Sequence, residues 1–274
     1  MKQFLMLLFL SPALLWGQSF RTVPAQPKAG ETVRLEIDLS KSKFRNFTDI
    51  EMVVLEYAGA KPAIVEATTS RNGDQFTGIF TLSADAKSAV AGLRKGDDMW
   101  ENNGGEGFFI TIHDAGGKPL PEGMIAAAIL YRDFGGFMTL NRTPSVSFGL
   151  VNQAIAAQPE LKRKYFGAYV SNLLVVKKGE KSEALALLGE VEADAEATED
   201  ELLLVIRFYE RTGELDRAKG LKEKLRTRFP AGTLVKQEKR RNIQNEPDLA
   251  KAEEMLVAYV NQFPPQNDDE RQSI

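Results

Sequence analysis

The sequence contains no cysteine and only one histidine, His113, among its 274 residues. Without cysteine the chain can form no disulfide bond, take no part in thiol exchange and offer no thiolate to a metal ion. A single histidine also excludes the clusters of His and Cys that hold zinc. We expect His113 to have a structural role, because the pattern places no nucleophile and acid beside it.

Nucleotide-binding and hydrolase motifs are absent as well. The chain has no Gly-x-x-x-x-Gly-Lys-Ser/Thr loop, no Gly-x-Gly-x-x-Gly after a strand and no Gly-x-Ser-x-Gly elbow. An excess of charge of one sign is also lacking, since the formal net charge is −3, and this disfavours nucleic acid as a partner. We therefore assign no catalytic residue, no cofactor and no metal site.

Long apolar runs are scarce, and the clearest one lies at the N-terminus. Lys2 is followed by an apolar run from Phe4 to Trp16 and then by Gly17. The run is too short for a membrane span and polar sequence follows it, which predicts an export signal over residues 1–17, cleaved near Gly17. No cysteine follows, so a lipid anchor is not expected. We expect a periplasmic or secreted bacterial protein without an integral membrane span after cleavage.

Residues 18–136 have the periodicity of β-strands. Apolar and charged residues alternate through residues 33–39, as in a half-buried strand, and Asn72-Gly73 between two such runs predicts a hairpin. The strands predicted with these rules cover residues 33–39, 52–57, 64–69, 75–81, 108–112 and 125–131. Short strands separated by turns are typical of an antiparallel β-sandwich of the immunoglobulin type.

The loop of residues 96–107 concentrates carboxylates, amides and a tryptophan among glycines, and it allows three interpretations. A sugar ring could stack on Trp100 and bond to Asn102 and Asn103. A calcium ion could take oxygen ligands, although the EF-hand spacing is absent, and the candidate ligands are Asp97, Asp98, Glu101 and Glu106. Alternatively, this is a long hairpin loop in which Asn and Gly supply positive φ while Trp100 covers the end of the sandwich.

Strand periodicity stops at residues 133–136, where a glycine pair permits a sharp turn, and we place the domain boundary there. Helical periodicity follows over residues 144–264, and residues 265–274 form a polar tail that we expect to be frayed. The predicted helices begin at Pro144 and continue over residues 160–176, 180–193, 200–211, 214–228, 233–245 and 248–262.

A 34-residue step repeats through this helical part. Gly179 and Gly213 are separated by it (213 − 179 = 34), as are the residues of two further series: Ala184, Ala218 and Ala252, and Pro230 and Pro264. The glycine makes the turn within a helix pair, the alanine lets the helices pack closely, and the proline ends the unit. Together with Tyr209, these positions resemble the tetratricopeptide motif, whose unit is a helix pair of this length. Leu202 and Lys222 stand where the motif has aromatic residues.

The resemblance implies a concave groove lined by the first helix of each unit. Carried across the 34-residue step, its groove positions are Tyr169, Leu173 and Lys177, then Leu203, Arg207 and Arg211, then Gln237 and Arg241. The cations among them would attract a carboxylate or an acidic peptide, or else they are solvated charges on ordinary helix faces. We expect a non-catalytic protein whose helical array binds a partner polypeptide.

Four short segments at residues 27–33, 102–107, 114–119 and 159–165 carry a second resemblance. With the export signal before them, they resemble the N-terminal region of exported thioredoxin-like disulfide reductases of Bacteroidetes-type bacteria. Those proteins continue into a thioredoxin fold with a Cys-x-x-Cys pair, which this chain lacks. The resemblance implies either a region that positions a substrate or partner for such a reductase, or a stand-alone protein that kept the binding modules.

Overall fold

A computed structural model describes residues 19–59, 61–177, 181–265 and 267, and these form two compact units that divide between Val176 and Lys177. The predicted export signal, the turn at Gly179 and nearly all of the tail lie outside the described residues. Antiparallel sheets come first and helices follow, so the predicted order of a β region and an α region is confirmed. Within the described ranges, no helix is both long enough and apolar enough to cross a membrane.

The first unit begins with two antiparallel sheets. Its strands are β1 Phe20–Val23, β2 Thr32–Asp38, β3 Glu51–Tyr57, β4 Pro62–Val65, β5 Thr68–Asn72, β6 Gln75–Thr81, β7 Ser88–Lys95, β8 Met99–Glu101 and β9 Phe108–Thr111. One sheet has the order β1-β2-β6-β5, and the other has β4-β3-β7-β8 with β9 also paired to β7. The predicted Asn72-Gly73 hairpin is confirmed, because β5 and β6 meet there with Gly73 at a φ of 59°.

One apolar core is shared by the two sheets. Alternate residues of β2, among them Val33, Leu35 and Ile37, are fully buried beside residues of β3, β7 and β9. Met52 packs closely over Gly78 of β6, where a Cβ would lie 2.1 Å from the methionine sulfur and would displace this side chain. The alternation of apolar and charged residues in β2 therefore reflects a strand with one face exposed to solvent and one face on the core.

The second sheet is buried on both faces, because helix α1, Pro121–Ile129, packs on its outer side. The predicted strand over residues 125–131 was wrong, since these residues lie in α1 and in the π-helical turn Leu130–Phe134. Pro121 at the first helical position and three consecutive alanines favour a helix, whereas an apolar run alone fits a buried helix as well as a strand.

Other differences from the prediction also concern β-strands, among them the short strands β1 and β8, which were not predicted. The run at residues 64–69 is divided between β4 and β5, which belong to different sheets. Strand β7 was not predicted, although it pairs with three others. Its sequence, Ser-Ala-Val-Ala-Gly-Leu-Arg-Lys, has a single β-branched residue among alanines and a glycine, and most of the strand is buried on both faces, so no alternation marks it.

Three further helices complete the first unit: α2 Pro144–Ala157, α3 Leu161–Lys164 and α4 Phe166–Val176. Helix α2 packs on α1 and on α4, and the buried hydroxyl of Ser147 donates to the side-chain oxygen of Asn172 at 2.6 Å. Helix α4, which was predicted to belong to the first repeat, therefore packs with α2. The division between units falls after it, beyond the predicted boundary at residues 133–136.

The second unit consists of successive helices: α5 Ser182–Ala193, α6 Glu199–Thr212, α7 Leu215–Arg228, α8 Thr233–Gln244 and α9 Leu249–Gln262. Each helix packs on the next. Helix starts follow the 34-residue step, from α6 to α8 (233 − 199 = 34) and from α7 to α9 (249 − 215 = 34). Residues that are one step apart can also be equally buried, since Ala184 and Ala218 are both almost fully buried.

Helix ends in this unit repeat in their backbone geometry. Phe229 follows α7 with φ and ψ of −127° and 68°, and Phe263 follows α9 with −128° and 72°. Each donates its backbone N–H to the carbonyl four residues earlier, and each precedes a proline. Helix α6 begins with the capping box of Thr198 and Glu201 and ends at Gly213 in the left-handed conformation.

Candidate functional site

A cleft of about 410 Å³ lies in the second unit between α6 and α8. Helix α6 contributes Leu203 and Arg207 to its walls, and α8 contributes Gln237 and Arg241. These four residues were predicted from the 34-residue step as groove positions of successive units. The structure brings them to one cavity, because α6 and α8 begin one step apart and present equivalent faces.

Glu199 of α6 connects the two walls of the cleft, α6 and α8, through hydrogen bonds. Its carboxylate accepts the backbone N–H of Thr233 at 2.8 Å and that of Leu234 at 3.0 Å, so a side chain of α6 caps the start of α8. Gly232 makes this approach possible, since a Cβ there would lie 2.4 Å from both carboxylate oxygens. A carboxylate at a helix N-terminus is also favoured by the helix dipole.

Two of the three acidic side chains on the cleft wall form ion pairs with neighbouring cations. Glu210 accepts a bond from Lys222 at 2.5 Å. Glu238 forms a two-point ion pair with Arg226, with both N–O distances 2.8 Å, and this pairing holds the pKa of Glu238 below its ordinary value. Asp200, in the first turn of α6, is the remaining acid on the wall.

The guanidinium groups of Arg207 and Arg241 are exposed, and neither makes an ion pair or a side-chain hydrogen bond with the residues that the structure describes. Lys222 on the same wall is paired with Glu210, and the charge of Arg241 acts, after that of Arg226, to lower the pKa of Glu238. A planar, permanently charged guanidinium donates two parallel hydrogen bonds to a carboxylate, so two of them in one cavity favour an anionic ligand.

Other predicted groove residues lie elsewhere. Arg211 is exposed in the last turn of α6 but does not line the cleft, and Lys177 is paired with Glu183. Tyr169 and Leu173 belong to the first unit, where Leu173 is 1% exposed and Tyr169 lies beside the Phe148 ring. The 34-residue step did not identify cleft residues in α4, because α4 packs with α2 in the first unit.

The tryptophan of the loop at residues 96–107 is part of a core. Trp100 is 7% exposed, and its ring lies 3.3 Å from where a Cβ on Gly92 would be. The edge of the Phe137 ring packs against it, with ring centroids 5.7 Å apart. A sugar needs an open aromatic face, and the Trp100 side chain offers almost none.

The side-chain amides of this loop form hydrogen bonds within the protein. Asn102 is buried, and its side chain donates to the carbonyl oxygens of Met138 and Thr139 and accepts the backbone N–H of Gly105. Asn103 has a φ of 57° and donates to the carbonyl of Gly107. The interpretation as a structural loop with positive-φ residues explains these contacts.

Two of the candidate calcium ligands of the loop, Glu101 and Glu106, form hydrogen bonds with other side chains. Glu101 is buried and accepts the hydroxyl of Ser42 at 2.7 Å, while Glu106 accepts the amide of Asn141. Across the described part of the chain, no group of three or more Asp, Glu, His or Cys side chains is placed to hold a metal ion.

His113 lies after β9 in a bridge with Pro119, and its Nδ1 is buried without a hydrogen-bond partner among the described residues. No serine or threonine hydroxyl bonds to it in that part of the chain.

A charged cluster in the first unit escaped sequence analysis because it joins residues far apart in the chain. Glu122 of α1 accepts the hydroxyl of Tyr165 at 2.6 Å and pairs with Lys87 at 3.3 Å and with Lys164. Burial alone would raise the pKa of Glu122, but the hydrogen bonds from Lys164, Tyr165 and Lys87 outweigh it and lower the pKa to about 2. Burial and the Glu122 carboxylate raise the pKa of Tyr165 above its ordinary value.

We expect Glu122→Gln to destabilise the protein at neutral pH, on the order of 2 kcal/mol, with an effect that disappears in acid. The folded-state pKa lies below the ordinary 4.5, so the carboxylate stabilises the fold above about pH 4.5 and loses this contribution as the pH falls towards 2. Urea unfolding from pH 7 to pH 2 measures it. The matched control Glu66→Gln removes an exposed carboxylate and should change little at any pH; equal curves for both variants would contradict the prediction.

An apolar cavity of about 390 Å³ also lies in the first unit, against β9, α1 and α2. Phe109, Met124 and Leu150 are among its lining residues. Both charged residues on its wall are committed, Lys87 to Glu122 and Glu106 to Asn141. Its lining also includes the polar residues Ser88, Thr111 and Gln153, but it has no charged residue outside these contacts, so the α6–α8 cleft is the stronger candidate for an anionic ligand.

Comparison with protein-family models and with curated proteins gives no match to this chain.

Proposed function

We propose that this is an exported, non-catalytic binding protein, and that a helical array of the tetratricopeptide type holds an acidic segment of a partner polypeptide between α6 and α8. In this proposal the two sheets of the first unit form an immunoglobulin-like sandwich. The observation that carries the proposal is the pair Arg207 and Arg241, one 34-residue step apart, which line one cleft without an ion pair or a side-chain hydrogen bond to the described residues.

The form of the cleft suits a peptide. Leu203 and Ile206 add apolar surface beside the two arginines, and the exposed Gln237 amide can both donate and accept hydrogen bonds. A short extended segment with one or two carboxylates can therefore place charge on the guanidinium groups and an apolar side chain on the leucine and isoleucine. The ion pairs of Glu210 and Glu238 reduce the repulsion that such a segment would meet.

Selection from a display library of random short peptides tests the proposal. With the purified protein immobilised, we expect enrichment of peptides that contain Asp or Glu near an apolar residue, and loss of this enrichment when the target is Arg207→Ala/Arg241→Ala. Selection of basic or uncharged peptides, or the same acidic peptides on both targets, would contradict the proposal.

A further inference from the structure

The apolar cavity of the first unit has two hydroxyl groups on its wall, where β7 pairs with β9. Ser88 and Thr111 are opposite each other in these strands, so their side chains point to the same face of the sheet. Their neighbours Ala89 and Ile110 belong to the core between the two sheets, so Ser88 and Thr111 point to the other face, on which α1 packs. Both residues line the cavity.

The hydroxyl group of Ser88 is buried, and no described residue forms a hydrogen bond with it. Ser88 is 3% exposed, and neither it nor Thr111 makes a side-chain hydrogen bond in the described part of the chain. A buried hydroxyl group without a hydrogen bond is unfavourable, and a ligand that supplies the missing donor or acceptor removes this penalty. Ser88 therefore gives the cavity a specific polar contact point.

The rest of the cavity suits an elongated apolar group. Met124 and Ala127 of α1, Leu150 of α2 and Phe109 of β9 are on its walls. The lining extends along α1 from Leu120 to Ala127, a distance of about 10 Å at the helical rise per residue. A dry cavity of about 150 Å³ holds benzene, so the volume of about 390 Å³ found here accommodates about ten to fifteen non-hydrogen atoms.

The charged residues of the wall favour an uncharged ligand. Lys87 is 3.3 Å from the carboxylate of Glu122, and the carboxylate of Glu106 accepts a hydrogen bond from the amide of Asn141. A ligand charge in an apolar cavity is unfavourable unless it is paired, and pairing it here would disturb one of these contacts. A neutral ligand leaves both contacts in place.

We propose that this cavity binds an uncharged small molecule with an elongated apolar body of about ten to fifteen non-hydrogen atoms and a terminal hydroxyl or carbonyl group, which forms a hydrogen bond with Ser88. Thr111 beside it offers a second hydrogen bond to the same group. The cavity lies in the first unit and the α6–α8 cleft in the second, so this inference does not depend on the proposed peptide binding.

Isothermal titration calorimetry with phenylbutanol tests the proposal, because this probe combines an apolar body of the required size with one terminal hydroxyl group. We expect a dissociation constant on the order of 100 µM. The anion phenylbutyrate has the same apolar body and should bind about ten-fold or more weakly, because its charge must be buried. A titration without saturable binding of phenylbutanol, or binding of phenylbutyrate that is equal or tighter, would overturn the proposal.

A cavity-filling variant tests where the probe binds. Ala127→Phe places a ring in the cavity and should weaken the binding of phenylbutanol by about ten-fold or more, since the ring occupies space that the probe needs. The matched control Ala156→Phe introduces the same ring at an exposed position of α2 that does not line the cavity, and it should bind the probe as the wild type does. Thermal unfolding checks the fold of both variants, and an equal effect of the two substitutions would contradict binding in this cavity.

The role of Ser88 is tested by a milder substitution that leaves the apolar walls intact. Ser88→Ala should weaken the binding of phenylbutanol by about three- to ten-fold, the contribution of one neutral hydrogen bond. Butylbenzene has no hydroxyl group, so its affinity should be the same for Ser88→Ala and for the wild type. The variant Arg207→Ala/Arg241→Ala should bind phenylbutanol normally. Unchanged binding of phenylbutanol to Ser88→Ala, or an equal loss for phenylbutanol and butylbenzene, would overturn the assignment of Ser88 as the polar contact.

Discussion

Trp100→Ala should lower the free energy of unfolding of the first unit by about 3–5 kcal/mol, the range for truncation of a large buried aromatic side chain. The indole fills the space over Gly92 beside Phe137 and belongs to the core between the second sheet and α1. Its removal leaves a cavity that the surrounding residues can fill only in part. Chemical denaturation followed by circular dichroism measures the effect without relying on the lost tryptophan fluorescence.

The neighbouring Met99 provides a control for Trp100. Met99 is 38% exposed, and Met99→Ala should change stability by about 0.5 kcal/mol or less. If Trp100 were instead a stacking platform for a sugar, its replacement would cost little stability and would abolish retention on a glycan. A stable Trp100→Ala protein would therefore contradict the structural role assigned to this side chain.

Arg207→Ala/Arg241→Ala should weaken binding of an acidic peptide selected on the wild-type protein by about ten-fold or more. A charge-assisted hydrogen bond in a concave site contributes roughly 1.5–3 kcal/mol, and about 1.4 kcal/mol corresponds to ten-fold in affinity. Because both side chains are exposed, folding should be nearly unaffected. Isothermal titration calorimetry measures the affinity, and thermal unfolding checks the fold.

A control with the same loss of charge separates a local contact from the general field of the protein. Lys118→Ala/Lys219→Ala removes two exposed cations that do not line the cleft, and it should bind the peptide almost as the wild type does. Wild-type binding should also weaken with added salt, since charges are screened over roughly 8 Å at physiological ionic strength. An equal loss of affinity in both double variants, or an affinity that does not change with salt concentration, would mean that Arg207 and Arg241 are only solvated surface charges.

Sequence reasoning succeeded where the information is local or periodic. The starts and ends of α6 to α9 could be predicted because caps, turns and prolines mark them, and the 34-residue step placed Arg207 and Arg241 on equivalent faces. Once the helices pack in order, equivalent faces form the same cleft. Half of the predicted groove set was therefore brought together without any knowledge of the tertiary structure.

The failures all involve contacts between distant parts of the chain. Residues 125–131 are apolar in a way that fits a strand or a buried helix, and only their packing on the second sheet decides between the two. For Trp100 the sequence left open whether the side chain binds a sugar or covers the end of the sandwich, and only the contacts with Gly92 and Phe137 show that it is buried. The Glu122 cluster joins α1 to Lys87 and Tyr165, a combination that no spacing in the sequence reveals.

Amide chemical-shift mapping of the isotope-labelled protein with a selected acidic peptide would locate the bound segment directly. We predict that the perturbed resonances cluster on the facing sides of α6 and α8, around Leu203, Arg207, Gln237 and Arg241, and that they are absent in Arg207→Ala/Arg241→Ala at the same peptide concentration. Perturbations confined to the first unit, or a pattern that persists in the double variant, would contradict binding in the α6–α8 cleft.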